Sequence, residues 1–189
     1  MIRIGILGDI GSGKSYVAKN FGYPVFNADL EVHKLYRNNR LIFKKLKKIL
    51  PKYFYIFPID KKHVVKAILD DKKNLKKIVK IVHLEIKRKL NLFLIQNKSK
   101  KIVILDIPLL LENKINRSND FLIFVQTGKL DVLKRLKKRK NYNKKLLDRF
   151  RNIQLSLDYK RKKSDFIIKN NFTKKAVKKD INSVLKKIL

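Results

Sequence analysis

The stretch GDIGSGKS, residues 8–15, fits the pattern G-x-x-x-x-G-K-[ST] at every fixed position. The apolar run IRIGIL (residues 2–7) precedes it and YVAKNF (residues 16–21) follows, so a predicted strand leads into it and a predicted helix leads out. Glycines in such a turn let successive backbone N–H groups point towards phosphate oxygens, and the N-terminus of the following helix adds partial positive charge. The stretch therefore predicts a phosphate-binding loop, or P-loop, that holds a nucleoside triphosphate.

The residues of the P-loop have separate tasks in this prediction. The Lys14 ammonium group is expected to reach the β- and γ-phosphates, and the Ser15 hydroxyl is expected to coordinate Mg²⁺. The residues assigned to ATP binding are Gly8, Gly11, Ser12, Gly13, Lys14, Ser15 and Tyr16. The alternative is a glycine-rich turn that contains a lysine by chance, and it is disfavoured because both the motif and its strand–helix context are present.

The class of nucleotide-binding protein follows from the rest of the chain. A switch GTPase usually carries an Asn-Lys-x-Asp motif after a strand, and the candidate strand end FVQTGKLD (residues 124–131) has none. A large motor ATPase needs a longer chain than 189 residues. A small-molecule kinase needs a general base, an acceptor site and cations that close over the phosphates. The sequence offers candidates for all three, so we favour a kinase.

The composition favours one α/β domain with an insertion. The chain has no cysteine, which excludes disulfides, thiolate metal sites and cysteine nucleophiles. No apolar run reaches the roughly 18 residues that a membrane-spanning helix needs, and the N-terminus lacks the layout of a signal peptide. We therefore expect a soluble, cytoplasmic protein with no membrane partner.

The formal net charge of +34 arises from 49 basic and 15 acidic residues. Clustered lysine and arginine would indicate nucleic-acid binding, because these side chains neutralise phosphates. Here the lysines are spread along the chain, often as pairs on the polar faces of predicted helices. Lys, Asn and Ile are also used at the expense of Ala and Gly, as in proteins encoded by AT-rich genomes. We favour this compositional explanation and expect no nucleic-acid partner.

Short apolar segments alternate with helical patterns along the chain. The predicted strands are residues 2–7, 23–29, 101–107, 120–127 and 164–171. Such alternation indicates a parallel sheet with helices on both faces. The long stretch at about 30–97 is the predicted insertion, and residues 73–97 within it form the clearest amphipathic helix. Residues 30–50 and 146–163 are each predicted to be helical, and Thr173 to cap a closing helix.

Four charged residues outside the P-loop are candidates for chemistry. Asp29 is predicted to end the second strand, where it could accept a proton from an acceptor hydroxyl or simply cap the next helix. Asp106 ends the third strand, where an acid often holds the Mg²⁺ shell through water, and the cost of burying an acid there favours such a role. Arg135 and Arg139 are predicted to lie one helical turn apart on one face. They would either neutralise a transferring phosphoryl group or form a solvated basic face.

Several stretches, in order along nearly the whole chain, resemble the dephospho-coenzyme A kinase family. They are the P-loop, NADLEVH (27–33), His83-Leu84 at the place of a His-Pro pair, IPLLLEN (107–113), Arg135 and Arg139 as lid arginines, Gln154, and SDFIIKN (164–170). The P-loop is shared with many families. The PLLLE segment combined with the NAD…H segment is much more specific.

The resemblance implies the fold of nucleoside monophosphate kinases: a five-stranded parallel core, a helical substrate-binding insertion and a lid, in one compact structural unit. The implied core is residues 1–30, 98–130 and 155–189, the insertion is 31–97 and the lid is 131–154. The implied reaction moves the ATP γ-phosphoryl group to the ribose 3′-hydroxyl of dephospho-coenzyme A, the last step of coenzyme A synthesis. We expect a monomer or a weak homo-oligomer.

The resemblance also implies a role for each candidate residue. Asp29 would be the general base, and Lys14, Arg135 and Arg139 would handle the phosphoryl charge. Mg²⁺ would be held by Ser15, and by Asp106 through water. The residues implied to face the acceptor are His33, His83, Pro108, Leu109, Leu110 and Glu112.

Three of the four departures from the family pattern affect these roles; the fourth is Phe150, flanked by Arg149 and Arg151, at the place of an Arg four residues before Gln154. Asn27 replaces the first acid of an Asp-Ala-Asp segment, which leaves Asp29 as the sole candidate base there. Asp9 replaces a glycine of the P-loop, and we expect its carboxylate to point outward or to pair with a lid arginine. Leu84 replaces a proline, so the helix is expected to continue unbroken past His83.

Two alternatives remain beside a kinase of dephospho-coenzyme A. The first is a kinase of the same fold that acts on another acceptor, such as a nucleoside monophosphate. The second is a basic nucleic-acid-binding protein with a vestigial nucleotide site, whose binding to unrelated DNA would fall steeply with salt. A panel of acceptors separates the kinases, because a wrong acceptor lacks the remote groups that hold its hydroxyl in line.

Overall fold

The computed structural model describes residues 1–140 and 142–189. Five strands form one sheet: β1 (Ile2–Gly8), β2 (Val25–Asn27), β3 (Ile102–Asp106), β4 (Phe121–Gln126) and β5 (Phe166–Lys169). The helices are α1 (Lys14–Asn20), α2 (Ala28–Asn38), α3 (Arg40–Ile49), α4 (Lys61–Asp70), α5 (Lys72–Gln96), α6 (Lys129–Lys137), α7 (Lys144–Arg151), α8 (Leu157–Lys162) and α9 (Lys174–Ile188).

All strand pairs of the sheet are parallel, and the strand order is β2-β3-β1-β4-β5. This confirms the predicted α/β fold with a five-stranded parallel sheet. Because β1 is the central strand, the P-loop that follows it lies in the middle of the carboxyl edge. The register pairs Asn27 with Asp106 and Gly8 with Val125 at the same edge. Open parallel sheets bind their ligands at this edge.

One face of the sheet is covered by α1 and α9, which pack on isoleucine and valine side chains of four strands. The helix residues in this layer are Val17, Ala18, Phe21, Val177, Ile181 and Val184. The closing helix predicted after Thr173 is therefore confirmed, and it packs on the sheet. Near-continuous apolar strands such as β3 are expected in a parallel sheet that is buried on both faces.

The opposite face of the sheet is approached closely by the segment that follows β3. A Cβ atom on Gly5 would lie 2.5 Å from Leu110 Cδ2 and 2.9 Å from Leu122 Cδ2, so only glycine leaves room for these side chains. Leu110 is fully buried as a result. The PLLLE segment is thus anchored on the core at its third residue.

The described residues form two compact units. The first unit consists of Met1–Asn27, Leu94–Tyr142 and Gln154–Leu189 and contains the sheet, and the second consists of Ala28–Phe93 and Asn143–Ile153. The segment predicted as a lid, residues 131–154, is divided between the two units. Asn141 of that segment lies outside the described residues. The functions assigned to insertion and lid stay predictions.

The second unit is organised around α5. Its buried residues recur at three- and four-residue steps, as predicted: Leu75, Ile78, Val82, Ile86 and Leu90. The helix continues past Leu84 to Gln96 without a break, which confirms that expectation. The loop between α3 and α4 contributes Phe54 to the core, and Tyr53 Oη donates a hydrogen bond to Asp70 Oδ2 at 2.9 Å.

Two segments predicted as single helices are each divided into two. Residues 30–50 contain most of α2 and the whole of α3. The two helices are separate because Asn39 caps α3 by accepting a hydrogen bond from Ile42 N–H at 3.0 Å. Residues 146–163 contain most of α7 and the whole of α8. These helices are separate because Ser156 Oγ caps α8 by accepting from Tyr159 N–H at 3.2 Å. Thr173 occupies the N-cap position of α9, but its hydroxyl donates to Asn171 Oδ1 instead.

Candidate active site

The P-loop glycines adopt backbone conformations that other residues rarely take. The φ angles are +145° at Gly8, +88° at Gly11 and +88° at Gly13. A Cβ atom at Gly13 would collide with the side-chain amide of Asn170. Glycine is therefore required at Gly13 both by the backbone angle and by the close neighbour.

Replacement of Gly13 by alanine is expected to weaken ATP binding at least about tenfold, because a left-handed backbone costs roughly 1–2 kcal/mol and the collision adds to it. Calorimetric titration with ATP measures the effect. Gly22→Ala is the matched control, because Gly22 also has a positive φ (+76°) but no neighbour that a Cβ would meet within 4 Å. If both variants bind ATP like the wild type, the P-loop does not depend on this glycine.

The P-loop backbone is fixed by side chains that follow β4 and β5. Ser12 carbonyl oxygen accepts hydrogen bonds from Thr127 Oγ1 at 2.9 Å and from Asn170 Nδ2 at 2.8 Å. Asn170 is 2% exposed. Fixed donors at a binding site reduce the reorganisation needed when the ligand arrives. Side chains that follow β4 and β5 thus anchor the loop that follows β1.

The charged side chains of the P-loop lie against its own backbone. Lys14 Nζ donates to the carbonyl oxygens of Gly8 at 3.2 Å and Asp9 at 2.8 Å. Asp9 Oδ1 accepts a hydrogen bond from Ile10 N–H at 2.7 Å. Lys14 is therefore placed over the loop, where an anion bound to the loop would meet it. The expectation that the Asp9 carboxylate points outward or pairs with a lid arginine stays a prediction.

Asn27 and Asp106 meet at the ends of β2 and β3. Asn27 Nδ2 donates to Asp106 Oδ2 at 2.6 Å, and Asp106 is 3% exposed. A neutral donor orients a buried carboxylate and offsets part of its desolvation. The departure from the family pattern at Asn27 therefore supplies a hydrogen bond to the strand-end acid.

The sequence predicted that Asp29 ends the second strand, and this prediction is wrong. β2 ends at Asn27, and Asp29 lies exposed in the first turn of α2. An acid in this position is favoured by the positive end of the helix dipole. His33 lies four residues further along α2, on the same face as Asp29. The role of Asp29 as a general base stays a prediction.

Arg135 and Arg139 do not share a helix, so their predicted spacing on one face is wrong. α6 ends at Lys137, and Arg139 follows in the connecting segment. The Arg135 guanidinium carbon lies 3.8 Å from the centroid of the Phe172 ring, a cation–π contact. Phe172 has φ of +64°, and its N–H donates to Asn170 Oδ1 at 2.9 Å.

The residues predicted to face the acceptor have different surroundings. His33 is exposed, Pro108 and Leu109 are half-buried, and Leu110 belongs to the core. Burial, and secondarily the nearby Lys87, lowers the pKa of His83, which favours a neutral imidazole at neutral pH.

Glu112 forms an ion pair that the sequence did not predict. Its Oε1 accepts from Lys160 Nζ at 2.8 Å and from Leu155 N–H at 3.0 Å. Nothing in the pattern around Lys160 distinguishes it from the many solvated lysines of the chain.

The candidate residues are distributed over both units. The first unit contains the P-loop, Asp106, Arg135, Arg139 and the segment from Pro108 to Glu112. The second unit contains Asp29, His33 and His83. Within the first unit, the P-loop and the Asn27–Asp106 pair lie at one edge of the sheet. The assignment of phosphate and metal binding to this edge stays a prediction.

Known proteins resemble this chain over nearly its whole length. The family model described as dephospho-CoA kinase matches residues 2–176. A dephospho-CoA kinase of Wolbachia sp. subsp. Brugia malayi is 36% identical over 187 residues, which cover 96% of this chain and 95% of that protein.

Two solved structures extend the likeness to three dimensions. TT1252 from Thermus thermophilus is similar with a TM-score of 0.78 and 26% identity, over 100% of this chain and 98% of that one. A dephospho-CoA kinase from Campylobacter jejuni is similar with a TM-score of 0.63 and 25% identity, over 98% and 96% of the two chains. With the sequence motifs, the family match and the fold in agreement, the chain belongs to the dephospho-CoA kinase family of P-loop kinases.

Proposed function

We propose that this protein transfers the γ-phosphoryl group of ATP to the ribose 3′-hydroxyl of dephospho-coenzyme A, giving coenzyme A and ADP. The observation that carries the proposal is the family match over residues 2–176. The reaction of that family is ATP-dependent phosphorylation in the last step of coenzyme A biosynthesis. The fixed P-loop supports the nucleotide half of the reaction.

The phosphates of ATP would be bound by the P-loop N–H groups and the N-terminus of α1. Lys14 Nζ would exchange the carbonyl oxygens of Gly8 and Asp9 for phosphate oxygens, which form stronger, charge-assisted hydrogen bonds. Arg135 and Arg139 would neutralise charge on the transferring group.

The donor set at the carboxyl edge fits Mg²⁺, which prefers oxygen ligands and keeps several waters. Ser15 has an exposed hydroxyl in the first turn of α1, and Asp106 offers a carboxylate. Within residues 1–140 and 142–189 there is no cluster of three or more His, Cys, Asp or Glu side chains suited to a metal. Ser15, and Asp106 through water, would hold the ion, which would supply positive charge to neutralise the β- and γ-phosphates.

On the acceptor side, Asp29 would accept the proton of the 3′-hydroxyl as the oxygen attacks the γ-phosphorus. His33 lies on the same face of α2, and its ring would contact the acceptor. His83, with its lowered pKa, would act as a neutral hydrogen-bonding group. The half-buried Pro108 and Leu109 would supply apolar contacts.

We place the protein in the cytoplasm, where its proposed substrates would be available. None of the described helices combines the length and the apolar character needed to cross a membrane. The absence of cysteine is compatible with a reducing compartment.

The test is to mix the purified protein with Mg-ATP and dephospho-coenzyme A and to follow ADP release in a coupled assay. Reactions without acceptor and with AMP are the controls. We expect ADP release that requires dephospho-coenzyme A, with coenzyme A as the product. ADP release with AMP alone would indicate a kinase of the same fold that acts on another acceptor. ATP binding without transfer to any acceptor would contradict the proposal.

A further inference from the structure

Lys160 lies at the centre of a buried polar network in the first unit. Its side chain is 1% exposed, and its Nζ contacts Glu112 Oε1 and Gln154 Oε1, each at 2.8 Å. Glu112 Oε1 also accepts from Leu155 N–H at 3.0 Å. The carbonyl oxygen of Lys160 accepts from Ser164 Oγ at 2.8 Å. We call Glu112, Gln154 and Lys160 the Lys160 network.

A buried ion pair is a poor source of stability. Desolvation of two charges offsets most of their attraction, and an apolar pair of similar volume often serves folding as well. Lysine is also the side chain least suited to complete burial, because its strongly hydrated charge sits on a flexible stem. The network therefore calls for an explanation beyond packing.

The network joins two segments that are far apart in the sequence. Glu112 ends the PLLLE segment, whose Leu110 is anchored on the sheet beneath Gly5. Gln154 and Leu155 begin the last portion of the chain that belongs to the first unit, immediately before α8. The network thus fixes the position of the PLLLE segment at its far end, beyond the contact made by Leu110.

The carboxylate of Glu112 is oriented inward. Its Oε2 is buried and accepts no hydrogen bond from the described residues, and its Oε1 is already used by two donors. A direct contact with a substrate would need this oxygen to be uncovered. The geometry therefore favours a role in which Glu112 holds the segment, while Pro108 and Leu109 of the same segment remain accessible in part.

We propose that Lys160 is a positioning residue for phosphoryl transfer, which acts through Glu112 and Gln154 to fix the Pro108–Glu112 segment in the geometry that acceptor binding requires. The inference rests on the proposed function, because that segment is assigned to the acceptor there. It changes the assignment of Glu112 from a contact with the acceptor to a support for the residues that make this contact.

The first test is Lys160→Met, which keeps the length of the stem and removes the charge. We expect the KM for dephospho-coenzyme A to rise at least about tenfold, because small displacements of positioning groups have effects of this order, and the KM for ATP to stay within about twofold. Lys162→Met is the matched control, since Lys162 lies on α8 but is exposed. A Lys160→Met enzyme with the wild-type acceptor KM, or with only its ATP KM raised, would overturn the inference.

The single variant leaves the Glu112 carboxylate buried without its partner, so it could fail to fold for that reason alone. The double variant Lys160→Met/Glu112→Leu removes both charges and is expected to keep a melting temperature close to that of the wild type. If the acceptor KM is raised in this stable enzyme and also in Lys160→Met, which leaves Glu112 in place, the network has a positioning role. If the acceptor KM returns to the wild-type value, the network serves the fold only, and the inference is wrong.

Direct binding separates this inference from the proposed function. Calorimetric titration with dephospho-coenzyme A measures acceptor affinity without turnover. Wild-type protein that binds the acceptor but does not phosphorylate it would contradict the proposed reaction, while weaker binding by both Lys160→Met and the double variant would still support the network. Wild-type protein that does not bind dephospho-coenzyme A would overturn both.

Discussion

Replacement of Asp29 by asparagine is expected to lower kcat at least about a hundredfold, because general-base catalysis contributes this much or more. Asparagine keeps the shape of the side chain but cannot take up the proton of the acceptor hydroxyl at neutral pH. ATP affinity should stay within about twofold, because the P-loop of the first unit is unchanged. Steady-state kinetics with dephospho-coenzyme A, together with ATP titration, measure both quantities.

The position of Asp29 in the first turn of α2 provides a second explanation for any loss, namely a weaker helix. A first-turn acid stabilises a helix by about 0.3–1 kcal/mol through the helix dipole. Glu31→Gln is the matched control, because Glu31 is the other acid in the first turn of α2. It also loses an exposed ion pair with Lys34, so its structural cost is at least comparable.

The two variants therefore separate catalysis from helix stability. If Glu31→Gln retains turnover and Asp29→Asn does not, the loss belongs to the chemistry of Asp29. If both lose turnover in proportion to their loss of stability, Asp29 serves the helix. If Asp29→Asn retains turnover within a few-fold, another group takes the proton, and the assignment of the base fails.

The sheet could be predicted from the sequence because its determinants are local. Apolar runs, the P-loop and the periodicity of α5 and α9 each lie within one continuous segment. The helix boundaries at Asn39 and Ser156 could also have been predicted from the sequence. Asn and Ser are residue types that favour the N-cap position, and the side chains of Asn39 and Ser156 each accept a backbone hydrogen bond there.

The polar contacts of the site could not be predicted, because they join residues that are distant in sequence. Asn170 meets Ser12 across 158 positions, and Asn27 meets Asp106 across 79. No local pattern marks such a partner. The burial of Lys160 was also unpredictable, because in a chain with 49 basic residues no feature of the sequence marks one lysine as buried.

Arg3 and Asp120 form a second buried ion pair, on β1 and just before β4. Arg3 Nε lies 2.9 Å from Asp120 Oδ1, and the side chains are 6% and 1% exposed. Arg3 Nη2 also donates to Ile115 carbonyl oxygen at 3.3 Å, and Asp120 Oδ2 accepts from Arg117 N–H at 2.9 Å. Burial raises the pKa of Asp120 and lowers the pKa of Arg3, so for each group desolvation outweighs the attraction of its partner.

Replacement of Asp120 by asparagine is expected to lower the free energy of unfolding by about 3–5 kcal/mol, because it leaves the Arg3 guanidinium buried without a counter-charge. This is a large fraction of the stability of a typical domain. Urea titration at low ionic strength measures it, and urea is preferred to guanidinium chloride because the latter is a salt that screens charge. Asp158→Asn, at an exposed position in the first turn of α8, is the control.

The double variant Arg3→Met/Asp120→Asn distinguishes charge from packing as the cause. Removal of both charges eliminates the desolvation of two ions along with their attraction, so most of the stability should return. The amide oxygen of the introduced asparagine can still accept the hydrogen bond from Arg117 N–H, which leaves that donor satisfied. If the double variant is as unstable as Asp120→Asn alone, the loss comes from local packing around the loop before β4. If the single variant is as stable as the wild type, the buried guanidinium needs no counter-ion, and desolvation at this site is far weaker than its 6% exposure implies.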